Sequence, residues 1–208
     1  FFAGEHLSRH FAEQRHRALA ARHPQHFEWV ASIHPYDPQA LERLASAAAR
    51  GARAIKWLPS AQNIDPADAR CDPFYARLAA LGIPLISHSG DERAVKGFGE
   101  QLGNPLRLRR PLDAGVTVVV AHCASLGSAH DGAGEVSNFE LFAQLMAEER
   151  YRGNLYGDIS AITQYNRMHV IAALLEQRDW HARLLNGSDY PLPGVVPLVS
   201  LEALVDAQ

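Results

Sequence analysis

Short apolar segments alternate along this chain with longer segments of helical character. The short segments are rich in β-branched residues, and each of them has a polar residue at or near its end. The stretch Val118-Val119-Val120 is typical of a parallel strand that is buried on both faces. The pattern predicts strands at residues 27–34, 52–58, 83–88, 116–122, 154–159 and 183–189.

The longer segments predict helices at residues 5–22, 38–50, 73–81, 138–150 and 169–177. Asp37 and Asp72 each precede a proline, so we expect a capping carboxylate followed by proline at the first helical position. Gly51 and Gly82 stand where a glycine commonly ends a helix. These residues predict where two of the helices begin and end.

Two segments predict loops that approach a binding site. Residues 91–114 combine glycines, prolines and basic residues, and predict a loop that carries substrate-side residues and leads into a short helix. Residues 125–138 are rich in glycine and predict a mobile loop over the site. Within this second loop, His130 and Asp131 are candidates to contact a substrate.

The spacing of the strands favours a barrel. The strand ends fall at or near residues 34, 58, 88, 122, 158 and 189, so each step is about one βα unit. A closed (β/α)8 TIM barrel takes about 250 residues. We therefore predict a single TIM-barrel domain over residues 1–208 that lacks its N-terminal one or two strands. An open doubly wound sheet is the rival, but no glycine-rich phosphate loop follows any strand.

Composition narrows the class of protein. With 47% hydrophobic and 21% charged residues, the chain is not intrinsically disordered as a whole. A net charge of −3 gives no reason to expect a nucleic-acid or membrane partner, and two cysteines cannot form a disulfide framework. We expect a cytoplasmic protein that binds a small molecule. By analogy with other barrels, the chain could also form a homo-oligomer. The chain begins with Phe1 rather than Met, so we expect that its natural beginning is absent.

Polar side chains end the predicted strands, and in a TIM barrel these ends meet on the face that carries the active site. Imidazoles and carboxylates are good zinc ligands, so His88, His122 and Asp189 could share one divalent metal. Taken singly, each of them can also be a polar strand end that faces solvent or caps the next helix. The complete set of candidate strand-end residues is His34, Lys56, His88, His122, Asp158 and Asp189.

The motifs PLISHSG, VVVAHC and NGSDYP, in this order and spacing, resemble strands five, six and eight of the metal-dependent amidohydrolase superfamily. The resemblance is to its amidohydrolase-2 branch of TIM-barrel hydrolases and decarboxylases. It implies that His88 is a metal ligand and that Asp189 is a metal ligand that also holds or deprotonates the metal-bound water. It implies a catalytic or metal-contacting role for His122.

The resemblance implies a hydrolase that uses a divalent metal, with zinc expected and manganese as the alternative, to activate water against an amide, ester or lactone bond. The alternative within the same branch is a nonoxidative decarboxylase of an aromatic or dienoic acid. Two further alternatives are a metal-free lyase that forms a Schiff base through Lys56 and an inert barrel that serves as a scaffold.

The sequence departs from the family at one point. Members carry a His-x-His pair at the end of strand one, and this chain contains none. We attribute its absence to missing N-terminal residues, with natural loss of the metal as the alternative. His6 and His10 lie four residues apart in a predicted helix, and we expect them on its solvated face rather than at a metal.

Three residues are predicted to contact substrate: Lys56, Asp158 and His130. For Lys56 we favour a substrate-facing cation that binds a carboxylate. By the resemblance, its position is also near that of a carbamylated lysine that bridges two metals in some members. Asp158 faces the pocket or caps the next helix, whereas His34 is expected simply to close its strand.

Overall fold

A computed structural model describes residues 17–92, 97–130 and 134–189. Their centre is a six-stranded sheet whose strands lie side by side in the order in which they occur along the chain, and every neighbouring pair in it is parallel. Each strand lies inside a predicted range, so the predicted parallel α/β architecture is confirmed. The strands are β1 (Trp29–Ala31), β2 (Ala52–Trp57), β3 (Leu85–His88), β4 (Val118–Ala121), β7 (Leu155–Asp158) and β8 (Leu184–Leu185).

The glycine-rich segment after β4 contains structure that the sequence pattern did not predict. β5 (Ser128–His130) and β6 (Glu135–Ser137) form an antiparallel pair in which Ala129 lies opposite Val136. Strands of three small or polar residues show too little alternation to be recognised as strands. The predicted loop at residues 125–138 therefore contains two short paired strands.

Helices connect the strands of the main sheet. Residues 17–22 are helical and are called α1 here, and the rest of the predicted helix 5–22 lies outside the described residues. The helix predicted at 138–150 ends early, at Ala147, because residues 149–151 form a separate 3₁₀ turn, and the helix predicted at 169–177 begins late, at Ile171, because residues 168–170 form another. The other helices are α2 (Ala40–Ala49), α3 (Pro59–Gln62), α4 (Asp72–Leu81), α5 (Arg109–Asp113), α6 (Asn138–Ala147) and α7 (Ile171–Glu176).

The short turns are 3₁₀ in character and occur mainly at the ends of helices and strands. Some of them divide the predicted loop at 91–114 before α5, in agreement with the expected loop and short helix. They cover Ala69–Cys71, Glu100–Gly103, Pro105–Leu108, His122–Ala124, Glu149–Tyr151, Met168–Val170 and Arg178–Arg183.

The predicted cap of α4 was wrong by one turn. Asp72 is the first residue of the helix rather than its cap, and the Asp68 side chain accepts a hydrogen bond from the Arg70 backbone N–H at 2.8 Å. A 3₁₀ turn over Ala69–Cys71 runs directly into α4 and moves the capping position towards the N-terminus. Asp72 instead accepts a hydrogen bond from Arg110 Nε at 2.6 Å.

The predicted cap of α2 also shifts. The helix begins at Ala40, and the Asp37 side chain accepts a hydrogen bond from the Gln39 backbone N–H at 2.8 Å in the turn before it. The predicted C-terminal glycines are confirmed, because Gly51 and Gly82 follow their helices with φ of +80° and +64°. Glycine enters this left-handed region without the steric cost of a side chain.

The core lies between the sheet and the helices and is rich in aromatic residues. Trp57 is fully buried, with its ring stacked on Phe74 at 5.5 Å between centroids and its Nε1 donating to Ile33 O at 2.8 Å. Trp29 and Trp180 are also buried. In the described residues no helix is both long and apolar enough to cross a membrane.

Candidate active site

The parallel sheet brings the predicted strand-end residues together. Lys56 lies near the end of β2, His88 ends β3, His122 directly follows β4, and Asp158 ends β7. The rings of His88 and His122 lie 5.3 Å apart between centroids, in an edge-to-face arrangement. Lys56 acts electrostatically on both histidines, and Asp189 acts on Lys56 and His122. One end of the sheet therefore carries a single cluster of titratable groups.

His88 is held at its Nε2 by the loop that follows β3. Its side chain is buried, with Nε2 3.2 Å from Asp91 O and Nδ1 3.5 Å from Glu92 Oε2. Because a carbonyl oxygen can only accept, Nε2 is the protonated nitrogen, and the lone pair is on Nδ1. Burial, followed by the positive charge of Lys56, lowers the pKa of His88 to about 3. The ring is therefore neutral and able to act as a ligand.

His122 is held by the loop that follows β7. Its Nδ1 lies 2.9 Å from Ser160 Oγ and 3.1 Å from Ser160 O. Burial is the largest cause that lowers the pKa of His122, and the positive charges of Arg167 and Lys56 act in the same direction. This ring is therefore also neutral near neutral pH.

The backbone around His122 is in an unusual conformation. His122, Cys123 and Ala124 have φ of +56°, +49° and +51°, which places three consecutive non-glycine residues in the left-handed region. Such a conformation costs about 1–2 kcal/mol per residue. The turn is closed by the Ser125 N–H donating to His122 O at 3.0 Å. Strain of this kind is common where a side chain is held for function.

Cys123 faces the core, as its position beside a site-facing histidine predicts. It is fully buried, and burial raises the pKa of its thiol to about 12. Its Sγ donates to Asp158 O at 3.5 Å. The thiol therefore joins the strained turn to the end of β7 and stays protonated.

Lys56 is a cation in a setting that disfavours its charge. Burial lowers its pKa, while the carboxylates of Asp158, Asp189 and Glu92 oppose that shift. Among the described residues, no carboxylate oxygen lies within 4.0 Å of its ammonium group. Such an ammonium group is suited to bind an anionic substrate group or to act as an amine nucleophile.

The donor chemistry of the cluster fits a divalent metal. His88 and His122 are neutral imidazoles whose second nitrogens are held by acceptors, as is usual for histidines that bind metals. Asp189 adds carboxylate oxygens and is half-buried, with φ of +52°. Within the described ranges, however, no three histidine, cysteine or acidic residues stand close enough together to hold an ion. The residues present supply donors of the right type, but not a complete set of ligands.

Three buried polar residues of the cluster were not predicted from sequence: Glu92, Ser160 and Arg167. Arg167 Nη1 donates to Ser125 Oγ at 3.1 Å, and its charge acts on both histidines. Glu92 stands four residues after His88, and Ser160 stands two residues after Asp158. This closeness in sequence to a predicted site residue is the only signal that could have pointed to either of them. Arg167 lies in an irregular segment where the sequence offers no periodic signal.

The remaining candidates are placed less centrally. His34 Nε2 lies 2.9 Å from Gln62 O, and its Nδ1 accepts from the Tyr36 N–H at 3.2 Å, which agrees with a role in closing its strand. His130 is exposed on β5, and its carbonyl oxygen accepts from Asn104 Nδ2 at 3.3 Å. Its predicted contact with substrate stays a prediction. Asp131, His6 and His10 lie outside the described residues.

Comparison with known proteins finds a matching family model and similar solved structures. A family model described as amidohydrolase matches residues 5–207. A search of curated proteins finds no match. Among solved structures, an uncharacterized TIM-barrel protein from Bordetella bronchiseptica is 21% identical with a TM-score of 0.68, covering 94% of this chain and 68% of its own.

Two other solved structures carry names that describe reactions. A putative 2-pyrone-4,6-dicarboxylic acid hydrolase from Pseudomonas putida is 21% identical, with a TM-score of 0.59, and the match covers 88% of this chain and 64% of that one. A 2,6-dihydroxybenzoate decarboxylase from Rhizobium is 14% identical, with a TM-score of 0.59, over 95% of this chain and 69% of that one. At these identities the likeness shows the fold, which confirms the predicted TIM-barrel class. The chain spans about two thirds of the length of these proteins.

Proposed function

This chain belongs to the amidohydrolase family, and from that premise we propose that it is a divalent-metal-dependent hydrolase of a small molecule. The bond cleaved is an amide, ester or lactone, and the attacking group is water. The observation that carries the proposal is the pair of buried, neutral imidazoles of His88 and His122, whose rings lie 5.3 Å apart at the ends of adjacent parallel strands. A pair of this kind is suited to metal binding and proton transfer.

In this proposal His88 and Asp189 hold the metal, with zinc as the first candidate and manganese as the second. When bound, such an ion lowers the pKa of a coordinated water to about 7 and so supplies hydroxide near neutral pH. Asp189 would also hold a proton at its carboxylate. His122, whose Nδ1 is held by acceptors, would present Nε2 to the reacting groups and accept or move a proton there.

The charges of the cluster support a substrate that carries a carboxylate. Lys56 and Arg167 both act on the two histidines, so the site contains two cations close to the proposed reacting groups. Lys56 is favoured as the group that binds the substrate carboxylate, since its ammonium has no close carboxylate partner in the described part of the chain. The similarity to a pyrone dicarboxylic acid hydrolase agrees with this substrate class.

A nonoxidative decarboxylase is the second candidate function. It is favoured by similarity to the 2,6-dihydroxybenzoate decarboxylase and to a 5-carboxyvanillate decarboxylase from Sphingomonas paucimobilis, which is 14% identical with a TM-score of 0.59. The same two cations would then hold an aromatic carboxylate. His122 would act on the ring carbon rather than on a carbonyl oxygen.

The test uses purified protein supplied with zinc or manganese and two probes, 2-pyrone-4,6-dicarboxylate and 2,6-dihydroxybenzoate. A hydrolase incorporates ¹⁸O from labelled water into the opened product, whereas a decarboxylase releases CO2 without incorporating solvent oxygen. A metal-free lyase is detected separately by borohydride trapping of Lys56 with a carbonyl substrate.

Metal content measured by elemental analysis provides the control. We expect near-stoichiometric metal in the wild-type protein and its loss in His88→Ala and Asp189→Asn, because removal of a ligand strongly lowers affinity. Asp179→Asn is the matched control, since Asp179 is exposed and lies outside the cluster. Wild-type protein that takes up no metal and turns over neither probe would contradict both candidate functions.

A further inference from the structure

A chain of hydrogen bonds links the ring of His122 to a carboxylate that the ring does not touch. Ser160 Oγ lies 2.9 Å from His122 Nδ1 and donates at 2.6 Å to Asp158 Oδ2. The direct separation between His122 Nδ1 and Asp158 Oδ2 is 4.0 Å, so the serine hydroxyl is the bridge. Ser160 is only 4% exposed, and solvent therefore competes little for these bonds.

The direction of each hydrogen bond follows from counting protons. The Asp158 carboxylate accepts the Ser160 N–H at Oδ1 (2.8 Å) and the Ser160 O–H at Oδ2. A serine hydroxyl has one proton, so Oγ has only lone pairs to offer His122. The Ser160 carbonyl oxygen, 3.1 Å from the same nitrogen, can also only accept. Both neighbours therefore require the proton on His122 Nδ1.

We propose that Asp158 and Ser160 are positioning residues that hold His122 in its Nδ1-protonated tautomer and present the lone pair of Nε2 to the site. The inference rests on the proposed function, since it deepens the role given there to His122. Burial, which lowers the pKa of His122, supports it by keeping the ring neutral. Asp158, predicted from sequence as a pocket residue, then acts through Ser160 rather than on the substrate.

The tautomer decides what His122 can do. An Nε2 lone pair can accept a proton from water or from a substrate hydroxyl, whereas an Nε2–H can only donate. A carboxylate that fixes the tautomer of a catalytic histidine is an established device, and replacing it with an amide gives the wrong tautomer. In this chain, the serine hydroxyl places that carboxylate one hydrogen bond further from the ring.

The direct test is NMR of protein labelled with ¹⁵N in its histidine rings, zinc-supplied, with no substrate present. Long-range ¹H–¹⁵N correlation spectra distinguish the two tautomers, and His122→Gln assigns the signals. We expect Nδ1–H in the wild-type protein. In Asp158→Asn the new NH2 donates to Ser160 Oγ, which turns the serine proton towards His122, so the Nε2–H fraction should rise.

Two substitutions of the bridge sharpen the test and serve if Asp158→Asn does not fold. Ser160→Ala keeps the backbone carbonyl as the only acceptor, and we expect a smaller rise of Nε2–H. Ser160→Thr keeps the hydroxyl and should restore the wild-type spectrum. The exposed Asp179→Asn should leave the spectrum unchanged. A wild-type Nε2–H tautomer, or a tautomer that neither Asp158→Asn nor Ser160→Ala alters, would overturn the proposal.

Kinetics on whichever probe is turned over add a second measurement. We expect Asp158→Asn to lower kcat about 10- to 100-fold, as loss of a group that orients a catalytic residue commonly does, with KM changed less than about twofold. A higher KM with an unchanged tautomer would show that Asp158 contacts substrate, and would overturn the inference. The NMR measurement needs no substrate, so a failure of the proposed function is seen separately as absence of turnover.

Discussion

Lys56 and Trp57 are neighbours on β2, and they mark two regions with opposite physical character. Trp57 is fully buried against Phe74 and Tyr75, with ring centroids 5.5 and 5.8 Å from its own. Lys56, on the other side of the strand, is a cation whose pKa burial lowers. One side of the strand therefore stabilises the fold by apolar burial, whereas the other side keeps a charge where burial disfavours it. Such costs are commonly found at functional sites.

The largest expected effect on stability comes from removing the aromatic side of this pair. Trp57→Ala should lower the free energy of unfolding by about 3–5 kcal/mol, since it empties a packed site and leaves the Ile33 carbonyl without its indole donor. Urea denaturation measures the change through the midpoint at an unchanged slope. Trp57→Phe, which keeps a ring against Phe74, should cost clearly less. An equal loss for both variants would show that the hydrogen bond, not the packing, dominates.

The second effect is expected at Gly157 of β7, where the packed core meets the turn that carries His122. A Cβ at this position would lie 2.8 Å from Phe142 Cζ in the core and 2.9 Å from Cys123 Sγ in the strained turn. Gly157→Ala should therefore lower the free energy of unfolding by about 1–3 kcal/mol through overpacking. It should also displace the turn that carries His122 and lower activity.

Gly153→Ala is the matched control for this substitution, because a Cβ there would meet nothing within 4 Å. Thermal denaturation and turnover of the responding probe are measured for both variants. If the two alanines destabilise the protein equally, the close approach at Gly157 does not limit packing. The strained turn and the core would then be less tightly coupled than the distances imply.

The third effect has the opposite sign for stability. Lys56→Met replaces a half-buried cation by an apolar side chain of similar length, which removes the desolvation cost of the charge, and should raise the free energy of unfolding by about 1 kcal/mol. Binding of the carboxylated probe should weaken at the same time, seen as a higher KM. Lys56→Arg keeps the charge and should retain more affinity. A destabilised Lys56→Met with unchanged KM would contradict the division of β2 into a stabilising side and a functional side.

The strands of the sheet were predictable because their physical signal is local. A strand buried on both faces must be apolar, and β4 shows this directly with its four buried residues. The caps of α2 and α4 were misplaced because a turn ahead of each helix cannot be read from a single Asp-Pro pair. The β5–β6 hairpin was missed because three-residue strands carry almost no periodic pattern.

The site was predictable where topology alone determines position. Parallel strands end on the same edge, so His88 and His122 had to lie near each other once the strands were recognised. Ser160 and Arg167 were not predictable, since both lie in irregular segments after β7 whose path depends on tertiary contacts. The tautomer of His122 could not be predicted from the sequence either, because it follows from the direction of three hydrogen bonds that only the folded structure shows.

The smallest expected effect on stability comes from the outer surface, where solvent stabilises charged side chains. Arg107 Nη1 donates to both carboxylate oxygens of Asp65 at 2.8 Å, and the two side chains are 31% and 33% exposed. Solvent screening at this exposure limits the pair to about 0.2–1 kcal/mol. Arg107→Gln should therefore lower the free energy of unfolding by no more than this, without loss of activity.

The pair between Arg53 and Glu28 provides a matched control for that substitution, because its side chains are 68% and 62% exposed. Arg53→Gln should change stability less than Arg107→Gln, and the difference should shrink in about 1 M salt, where the screening length falls to about 3 Å. Urea midpoints at low and high salt measure both variants. A loss at Arg107 that persists in high salt would mean that its Nε bond to Gln101 O, 2.9 Å long, matters more than its charge. The difference between Arg107, whose charge solvent stabilises, and Lys56, whose charge burial disfavours, would then come from packing rather than from electrostatics.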